Sequence, residues 1–115
     1  MTCKRGDVIL VRFPNSDLKT YKKRPALVLQ ADGLATGLPQ KIIALITSNT
    51  SRTGATRVHF LQQSAEGQAM GLLSDSVVVT DNLATVLDRE IAKTIGHCTA
   101  MPEIDAALKQ TLGLM

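Results

Sequence analysis

Short apolar and β-branched runs, each ended by turn-forming residues, constrain the fold of this chain more than any other feature. The runs cover residues 8–13, 26–30, 41–46, 56–61, 72–80 and 91–99, and polar or glycine-containing segments separate them. This arrangement is typical of short β-strands joined by turns. Residues 81–86 are expected to continue the fifth run past a bend. The pattern therefore predicts five to seven short strands.

Only the end of the chain has helical periodicity. Pro102 suits the first turn of a helix, Glu103 complements the positive end of the helix dipole, and Ile104, Leu108 and Leu112 recur at four-residue spacing. We expect a helix over residues 102–114. Strands followed by one terminal helix predict a mainly β fold, a small and strongly bent sheet or barrel. At this length, a single domain over residues 1–115 is expected.

Positive charge is concentrated in the first half of the chain. Residues 1–60 contain ten Lys and Arg against three Asp and Glu, a balance of +7. Residues 61–115 contain three against seven, a balance of −4. Such a split favours an anionic partner, nucleic acid above all, although it also occurs on solvated faces that bind nothing.

Several classes of protein find no support in the sequence. No segment is long and apolar enough for a membrane span, and no signal peptide follows the basic start, so a cytoplasmic protein is expected. Cys3 and Cys98 lie at opposite ends of the chain without a Cys/His cluster. The glycines match neither a P-loop nor a dinucleotide fingerprint. We expect no metal, no cofactor and no disulfide.

Two polar segments are candidates for an anion site. Residues 18–23 are expected to form an exposed basic loop, and Arg24 follows it directly before Pro25. A proline favours extended backbone at the preceding residue, which limits where the Arg24 guanidinium points. Residues 47–54 are rich in hydroxyl and amide groups at the end of a strand, a common place for ligand contacts. For both segments, a solvated surface loop is the ordinary alternative.

Four segments, taken in order, resemble one known family. They are residues 6–11, residues 24–29, residues 46–48, and the run Asp75-Ser76-Val77-Val78-Val79 that leads through Asn82 and Leu83 to Thr85 and Val86. Each segment is common by itself, but their order and spacing resemble the MazF/PemK (Kid) toxins of bacterial toxin-antitoxin systems. The resemblance covers nearly the whole chain.

The resemblance implies an SH3-like β-barrel with a C-terminal helix that works as a homodimer. It implies a metal-independent, sequence-specific endoribonuclease that cleaves single-stranded RNA and so arrests translation and growth. It also implies a cognate antitoxin whose acidic, disordered C-terminal tail covers the RNA groove. On the family's motifs, the catalytic pair is Arg24 and Thr47.

These two residue types suit RNA cleavage without a metal. The ribose 2′-hydroxyl attacks phosphorus, and the charge that grows on the phosphoryl oxygens needs fixed donors. Arg24 supplies a planar, permanently charged fork, and Thr47 supplies a hydroxyl. Because arginine is a poor general base, the group that removes the 2′-hydroxyl proton is unassigned, with Asp81 and His59 as candidates.

The remaining candidate residues are assigned to RNA binding. Expected along the RNA backbone are Lys19, Lys22, Lys23, Arg52 and Arg57, and expected at the bases are Phe13, Tyr21, Ser48, Asn49 and Asn82. One position departs from the family's pattern, because Ala84 stands where the family often has arginine in Gln-x-Arg-Thr. The cleavage rate and the sequence preference therefore do not follow from the family.

The sequence leaves two alternatives open. A CcdB-like gyrase-binding toxin shares this fold, but such toxins end in a tryptophan-containing tail, and this chain has no Trp. A non-catalytic nucleic-acid-binding barrel, or a decayed toxin, is the other alternative. It is distinguished by whether Arg24 and Thr47 converge on one phosphate-sized site.

Overall fold

The computed structural model describes residues 3–14, 17 and 19–115, without the side chains of residues 13 and 14. The elements are β1 (Asp7–Pro14), β2 (Tyr21–Val28), β3 (Gln40–Thr47), β4 (Arg57–Phe60), α1 (Ala65–Ala69), β5 (Ser76–Leu87), β6 (Ile91–His97) and α2 (Met101–Leu112), with a 3₁₀ turn at Asp88–Glu90. The prediction of a mainly β fold with a C-terminal helix is confirmed. No helix within the described residues is long and apolar enough to cross a membrane.

The six described strands form one antiparallel sheet in the order β4-β5-β3-β2-β1-β6. The turn after α1 brings the two edge strands, β4 and β6, towards each other. α1 follows β4 in the chain, and Met70 and Gly71 after it pack against the backbone of β6. A Cβ atom added to Gly96 would lie 2.3 Å from the carbonyl carbon of Met70. The approach requires glycine there, and it gives the open sheet its barrel-like form.

Two apolar clusters are buried on the two faces of the sheet. The first packs strand residues against the helices and includes Val8, Met70 and Ile104. The buried members of the second all come from strands, among them Ile9 and Ile43. Neighbouring residues of β1 belong to different clusters, so both faces of this strand are buried. Its run is therefore continuously apolar instead of alternating between apolar and polar residues.

β2 is longer than the sequence predicts. Residues 21–25 were expected in loop and strand-entry positions, but they are already paired, with Tyr21 opposite Pro14 and Lys23 opposite Arg12. The prediction of a loop that reaches residue 23 is therefore wrong. The sequence signal is weak because these side chains are polar and exposed, and the ladder to β1 overrides their low strand propensity. The predicted turn at residues 14–17 includes Asn15 and Ser16, which lie outside the described residues.

The predicted bend in the fifth run is confirmed, and it lies at an irregular bulge in β5. Ala44 of β3 is opposite Leu83, whereas the next residue, Leu45, is opposite Val79. Residues 80–82 therefore stand out of the β3–β5 ladder, and the side chains of a bulge can be redirected from the sheet faces.

α2 begins one residue earlier than predicted, at Met101, and ends at Leu112. Pro102 lies in its first turn, where a missing N–H costs no hydrogen bond. Gly113 closes it with a φ of 68°, the left-handed conformation common after helices. Ile104 and Ala107 are its buried residues and Leu108 is partly buried against the core, whereas Leu112, at the end of the predicted apolar face, is 54% exposed.

Candidate active site

A cleft of about 430 Å³ opens where β2 and β3 part. The described ladder between these strands runs from the Val28–Ile43 pair to the Ala26–Leu45 pair. Beyond it, β2 continues beside β1, and β3 continues beside β5, with Thr47 opposite Val77. Arg24 lies two residues before Ala26, and Thr47 lies two residues after Leu45. The two residues therefore occupy matching positions on the diverging strands, and both line the cleft.

The cleft is cationic. Its lining consists of Leu10, Lys22, Lys23, Arg24, Pro25, Ile46, Thr47, Ser48, Gly71, Leu72, Leu73, Ser74, Ser76 and Ile95. Three of these residues carry a positive charge, and within the described part of the chain none of the lining residues is acidic. Asp75 stands between two lining serines, but its carboxylate accepts the N–H of Gln62 at 2.8 Å. Such a site favours an anion of the size of a phosphate group with its sugar.

Thr47 is oriented by the loop that follows it. Its Oγ1 accepts the backbone N–H of Asn49 at 3.1 Å. Asn49 in turn accepts the N–H of Ser51 at 3.2 Å through Oδ1, and the N–H of Arg52 bonds to the carbonyl of Asn49. Since the hydroxyl oxygen already accepts a bond, its proton is the part of the group suited to bind a ligand oxygen.

The wall formed by residues 71–76 was not predicted to belong to the site. Gly71 has a φ of 72°, and a Cβ atom there would lie 2.2 Å from the carbonyl oxygen of Ile95. Ser76 is held by a bond from its Oγ to the carbonyl of Ser74 at 2.9 Å. Leu73 is 96% exposed on the rim. The only sequence signal for this wall was a serine-rich segment after a glycine. The position of that segment depends on its contact with β6, which is distant in sequence.

Five of the predicted site residues line the cleft, namely Lys22, Lys23, Arg24, Thr47 and Ser48. Tyr21 lies in a neighbouring hollow of about 280 Å³ with Arg12, Arg89 and Glu90. The guanidinium carbon of Arg12 is 5.2 Å from the centre of the Tyr21 ring, a cation–π contact.

Four further predicted residues whose side chains are described, Lys19, Asn49, Arg52 and Asn82, are absent from the lining. Lys19 is exposed, and its N–H bonds to Asp17 at 2.9 Å. Asn49 and Arg52 are exposed on the loop after Thr47, and Asn82 is exposed on the β5 bulge. Phe13 is opposite Lys22 in the β1–β2 ladder, and its side chain lies outside the described atoms.

The two candidate general bases lie outside the cleft. Asp81 accepts two bonds from Arg57, at 2.8 and 3.0 Å, and one from Thr56 at 3.0 Å. The bonds from Arg57 hold the pKa of Asp81 below its ordinary value, which weakens it as a base. His59 is exposed and lines a different hollow with Glu66 and Glu103.

Arg57 is also placed differently from its prediction as an RNA backbone contact. Its Nε and Nη2 bond to Asp81, and its Nη1 bonds to the carbonyl of Thr53 at 2.8 Å. Three of its five N–H donors thus bond to protein acceptors.

Among the described residues, no group of three or more His, Cys, Asp or Glu side chains is arranged to hold a metal ion. Cys3 is partly buried and Cys98 is buried, and both are free thiols. Burial raises the pKa of each thiol.

Comparisons with known proteins give one consistent result. Residues 4–112 match the model of a family described as PemK-like, MazF-like toxin of type II toxin-antitoxin system. The chain is 33% identical over 104 residues to Endoribonuclease MazF6 of Mycobacterium tuberculosis, with 88% of each chain covered. The structure of Mycobacterium tuberculosis toxin MazF-mt6 has a TM-score of 0.74 at 25% identity, covering 95% of this chain and 98% of that one. An endoribonuclease in complex with its cognate antitoxin, from a mycobacterial species, has the same fold, with a TM-score of 0.74 at 24% identity and coverage of 99% and 98%.

Proposed function

We propose that Arg24 and Thr47 are the catalytic pair of this protein. The chain belongs to the family of PemK-like, MazF-like toxins of type II toxin-antitoxin systems, and it is an endoribonuclease toxin. One observation carries the assignment of the site. Arg24 and Thr47, 23 positions apart in sequence, line one cationic cleft that contains no acidic residue among its described lining.

The proposed reaction needs no metal ion. The 2′-hydroxyl of the ribose gives its proton to water as its oxygen attacks the adjacent phosphorus, the bond from phosphorus to the 5′-oxygen breaks, and the 5′-oxygen takes up a proton from water. The products are a 2′,3′-cyclic phosphate and a 5′-hydroxyl end. Arg24 stabilises the charge on the phosphoryl oxygens, and the Thr47 hydroxyl donates to one of them.

Positioning and charge stabilisation are the contributions that the cleft is equipped to make. Within the described residues, the lining contains neither a carboxylate nor an imidazole. We therefore assign no general base to the lining, and Asp81 and His59 are not proposed for that role.

The substrate class is single-stranded RNA. Only unpaired bases present their Watson–Crick edges and their faces to a protein, and the cleft is open to solvent at its rim. Lys22 and Lys23 contact the RNA backbone in the cleft, while Lys19 and Arg52 extend this path outside it. Phe13, Tyr21, Ser48, Asn49 and Asn82 are proposed as base contacts.

A cognate antitoxin is the proposed regulator. One structural relative was solved with its antitoxin, and the cationic lining of this cleft suits an acidic peptide as well as RNA. An acidic, disordered antitoxin tail that occupies the cleft competes directly with the substrate. The site of action is the cytoplasm, where both RNA and a toxin-antitoxin pair are made.

A homodimer of the single domain 1–115 is proposed as the active form. An apolar groove lies between α2 and the segment after β2, lined by Leu29, Gln30, Ala31, Leu34, Ile42, Leu83, Leu108 and Leu112. Within the described residues, none of its lining side chains is charged, which suits a second copy better than RNA or an acidic tail. Light scattering is expected to give a mass of two chains for the wild type, and Leu112→Asp is expected to shift it towards one.

The function is tested by inducible expression with mapping of the 5′ ends of cellular RNA, followed by cleavage of purified RNA with and without a chelator. We expect growth arrest, recurrent cleavage at a short motif, and full activity in the chelator. Arg24→Ala is expected to lose cleavage while it retains RNA binding in part. A wild type that cuts no RNA, or an Arg24→Ala protein that cuts as well as the wild type, contradicts the proposal and favours a non-catalytic barrel.

A further inference from the structure

We propose that Arg57 and Asp81 are positioning residues that fix the loop of residues 48–56 and thereby set which RNA sequences the cleft accepts. This inference rests on the proposed function. It concerns selectivity, which the family resemblance leaves undetermined for this chain.

The Arg57 guanidinium, on β4, bonds both to the β5 bulge and to the loop of residues 48–56. It donates from Nε and Nη2 to the two carboxylate oxygens of Asp81, at 2.8 and 3.0 Å, in a bidentate pair. It donates from Nη1 to the carbonyl of Thr53, inside the loop, at 2.8 Å. The planar fork therefore connects the loop directly to the β5 bulge.

The bulge supplies two further anchors to the same end of the loop. Thr56 donates from Oγ1 to Asp81 at 3.0 Å. Thr80, which is fully buried, donates to the carbonyl of Thr56 from its N–H at 3.0 Å and from its Oγ1 at 2.7 Å. Because Thr80 and Asp81 stand out of the β3–β5 ladder, their polar groups are available to the loop rather than to β3.

The anchored loop begins inside the cleft. Thr47 and Ser48 line the cleft, and exposed residues follow them through residue 55. An exposed loop with few apolar contacts depends on hydrogen bonds for its order. Its first turn is closed by Thr47 and Asn49, and its last by Gly54 and Arg57. The Arg57–Asp81 pair is thus the charged side-chain contact among those that fix the far end of a segment whose near end carries Thr47.

A direct RNA contact by Arg57 makes opposite predictions. If its charge binds a phosphate, Arg57→Lys preserves binding, and Asp81→Asn strengthens binding because it removes a nearby negative charge. If the pair positions the loop, Arg57→Lys fails, because an ammonium on a flexible chain cannot reproduce the fork to Asp81 and Thr53. Asp81→Asn then weakens selectivity although the protein becomes more positive.

The test uses the full chain and a randomised single-stranded RNA library, with kcat/KM measured for the preferred motif and for its single-base variants. A well-placed hydrogen bond to a base is worth on the order of tenfold in discrimination or more. We expect Arg57→Lys and Asp81→Asn each to lower the ratio between preferred and variant motifs by about tenfold. Lys4→Ala, an exposed charge change at the start of the chain, is the matched control and is expected to keep the ratio. Retained selectivity in both pair variants overturns the inference.

Hydrogen exchange provides a second measurement that does not require RNA cleavage. In Arg57→Lys and Asp81→Asn we expect faster exchange of the Asn49, Ser51 and Arg52 amides, with the exchange of the β3 and α2 amides unchanged. Unchanged exchange of the loop amides overturns the inference even if the wild type cuts no RNA. Inactivity of the wild type, in contrast, contradicts the proposed function alone. Cooperative unfolding of each variant, from a fully folded state under the assay conditions, excludes a general loss of fold as the cause.

Discussion

At the scale of single residues, the cleft assigns different tasks to similar side chains. Lys22, Lys23 and Arg24 are consecutive cations, but only Arg24 lies directly before a proline and at the matching position to Thr47. Arg57 has the same guanidinium as Arg24, yet its donors are directed to Asp81 and Thr53. The partners of a side chain, rather than its type, decide whether it is available to a substrate.

Thr47 gives the sharpest prediction at this scale. Thr47→Val keeps the shape of the side chain but removes the hydroxyl, so we expect kcat/KM for RNA cleavage to fall by about a hundredfold, as for one lost transition-state donor. Thr47→Ser keeps both the hydroxyl proton and the acceptor for the Asn49 N–H. It is expected to stay within several-fold of the wild type. Equal rates for the valine and serine variants would falsify the catalytic role.

Asp81 gives a prediction for the dependence of stability on pH. Its pKa is lowered in the folded protein by the bonds from Arg57, so the pair adds stability above the ordinary pKa of 3.8 and loses it as the pH falls below that value. Because the Asp81 side chain is 38% exposed, solvent screening limits the effect to about 1 kcal/mol or less. Asp81→Asn is therefore expected to unfold more easily than the wild type at pH 7, with a smaller difference at pH 3, which lies below the ordinary pKa of 3.8. Denaturant unfolding at both pH values measures it, and a difference that stays constant contradicts the prediction.

At the scale of elements, local sequence determined most strands but not the walls of the cleft. β1, β3 and β5 are apolar and β-branched, so their pattern alone predicts them. The first half of β2 is polar, and its strand state follows from pairing with β1, which no local pattern reports. The Gly71 wall depends on contact with Ile95, which is distant in sequence. The pairing of Arg24 with Thr47 likewise came from family resemblance, because residue spacing alone does not fix a ladder register.

The Gly71 wall is tested against a matched glycine. Gly71 and Gly33 have φ values of 72° and 73°, but an added Cβ meets the Ile95 carbonyl at 2.2 Å in the first case and nothing within 4 Å in the second. Gly33→Ala is expected to cost only the left-handed strain of about 1–2 kcal/mol and to leave RNA cleavage intact. Gly71→Ala adds a backbone clash, so we expect a further loss of about 1–3 kcal/mol and reduced kcat/KM.

Denaturant unfolding and cleavage assays on both glycine variants separate the two effects. Since the backbone strain is shared, the difference between the variants reports the contact with β6 and the position of the cleft wall. Equal unfolding free energies and equal activities for the two variants would show that the wall does not depend on this contact.

At the scale of the whole molecule, the net charge of +3 understates the field at the cleft. The first 60 residues carry +7 and the remainder −4, and β2, which comes from the first part, brings three cations to the cleft. An anionic chain is therefore attracted to one region of a protein whose average charge is small, and the attraction is screened by salt.

This distribution predicts the salt dependence of RNA binding. For single strands, log K falls with log salt by about 0.7 for each neutralised phosphate, so the three cleft cations contribute about −2 to the slope. Lys22→Gln removes one of them and is expected to make the slope shallower by about 0.7, whereas Lys109→Gln, an equal charge change at an exposed position of α2, is expected to leave it unchanged. Fluorescence titration with an RNA that carries a 2′-deoxy sugar at the cleavage position measures binding without cleavage. If both variants shift the slope equally, binding depends on net charge rather than on the cleft, and the assignment of Lys22 is wrong.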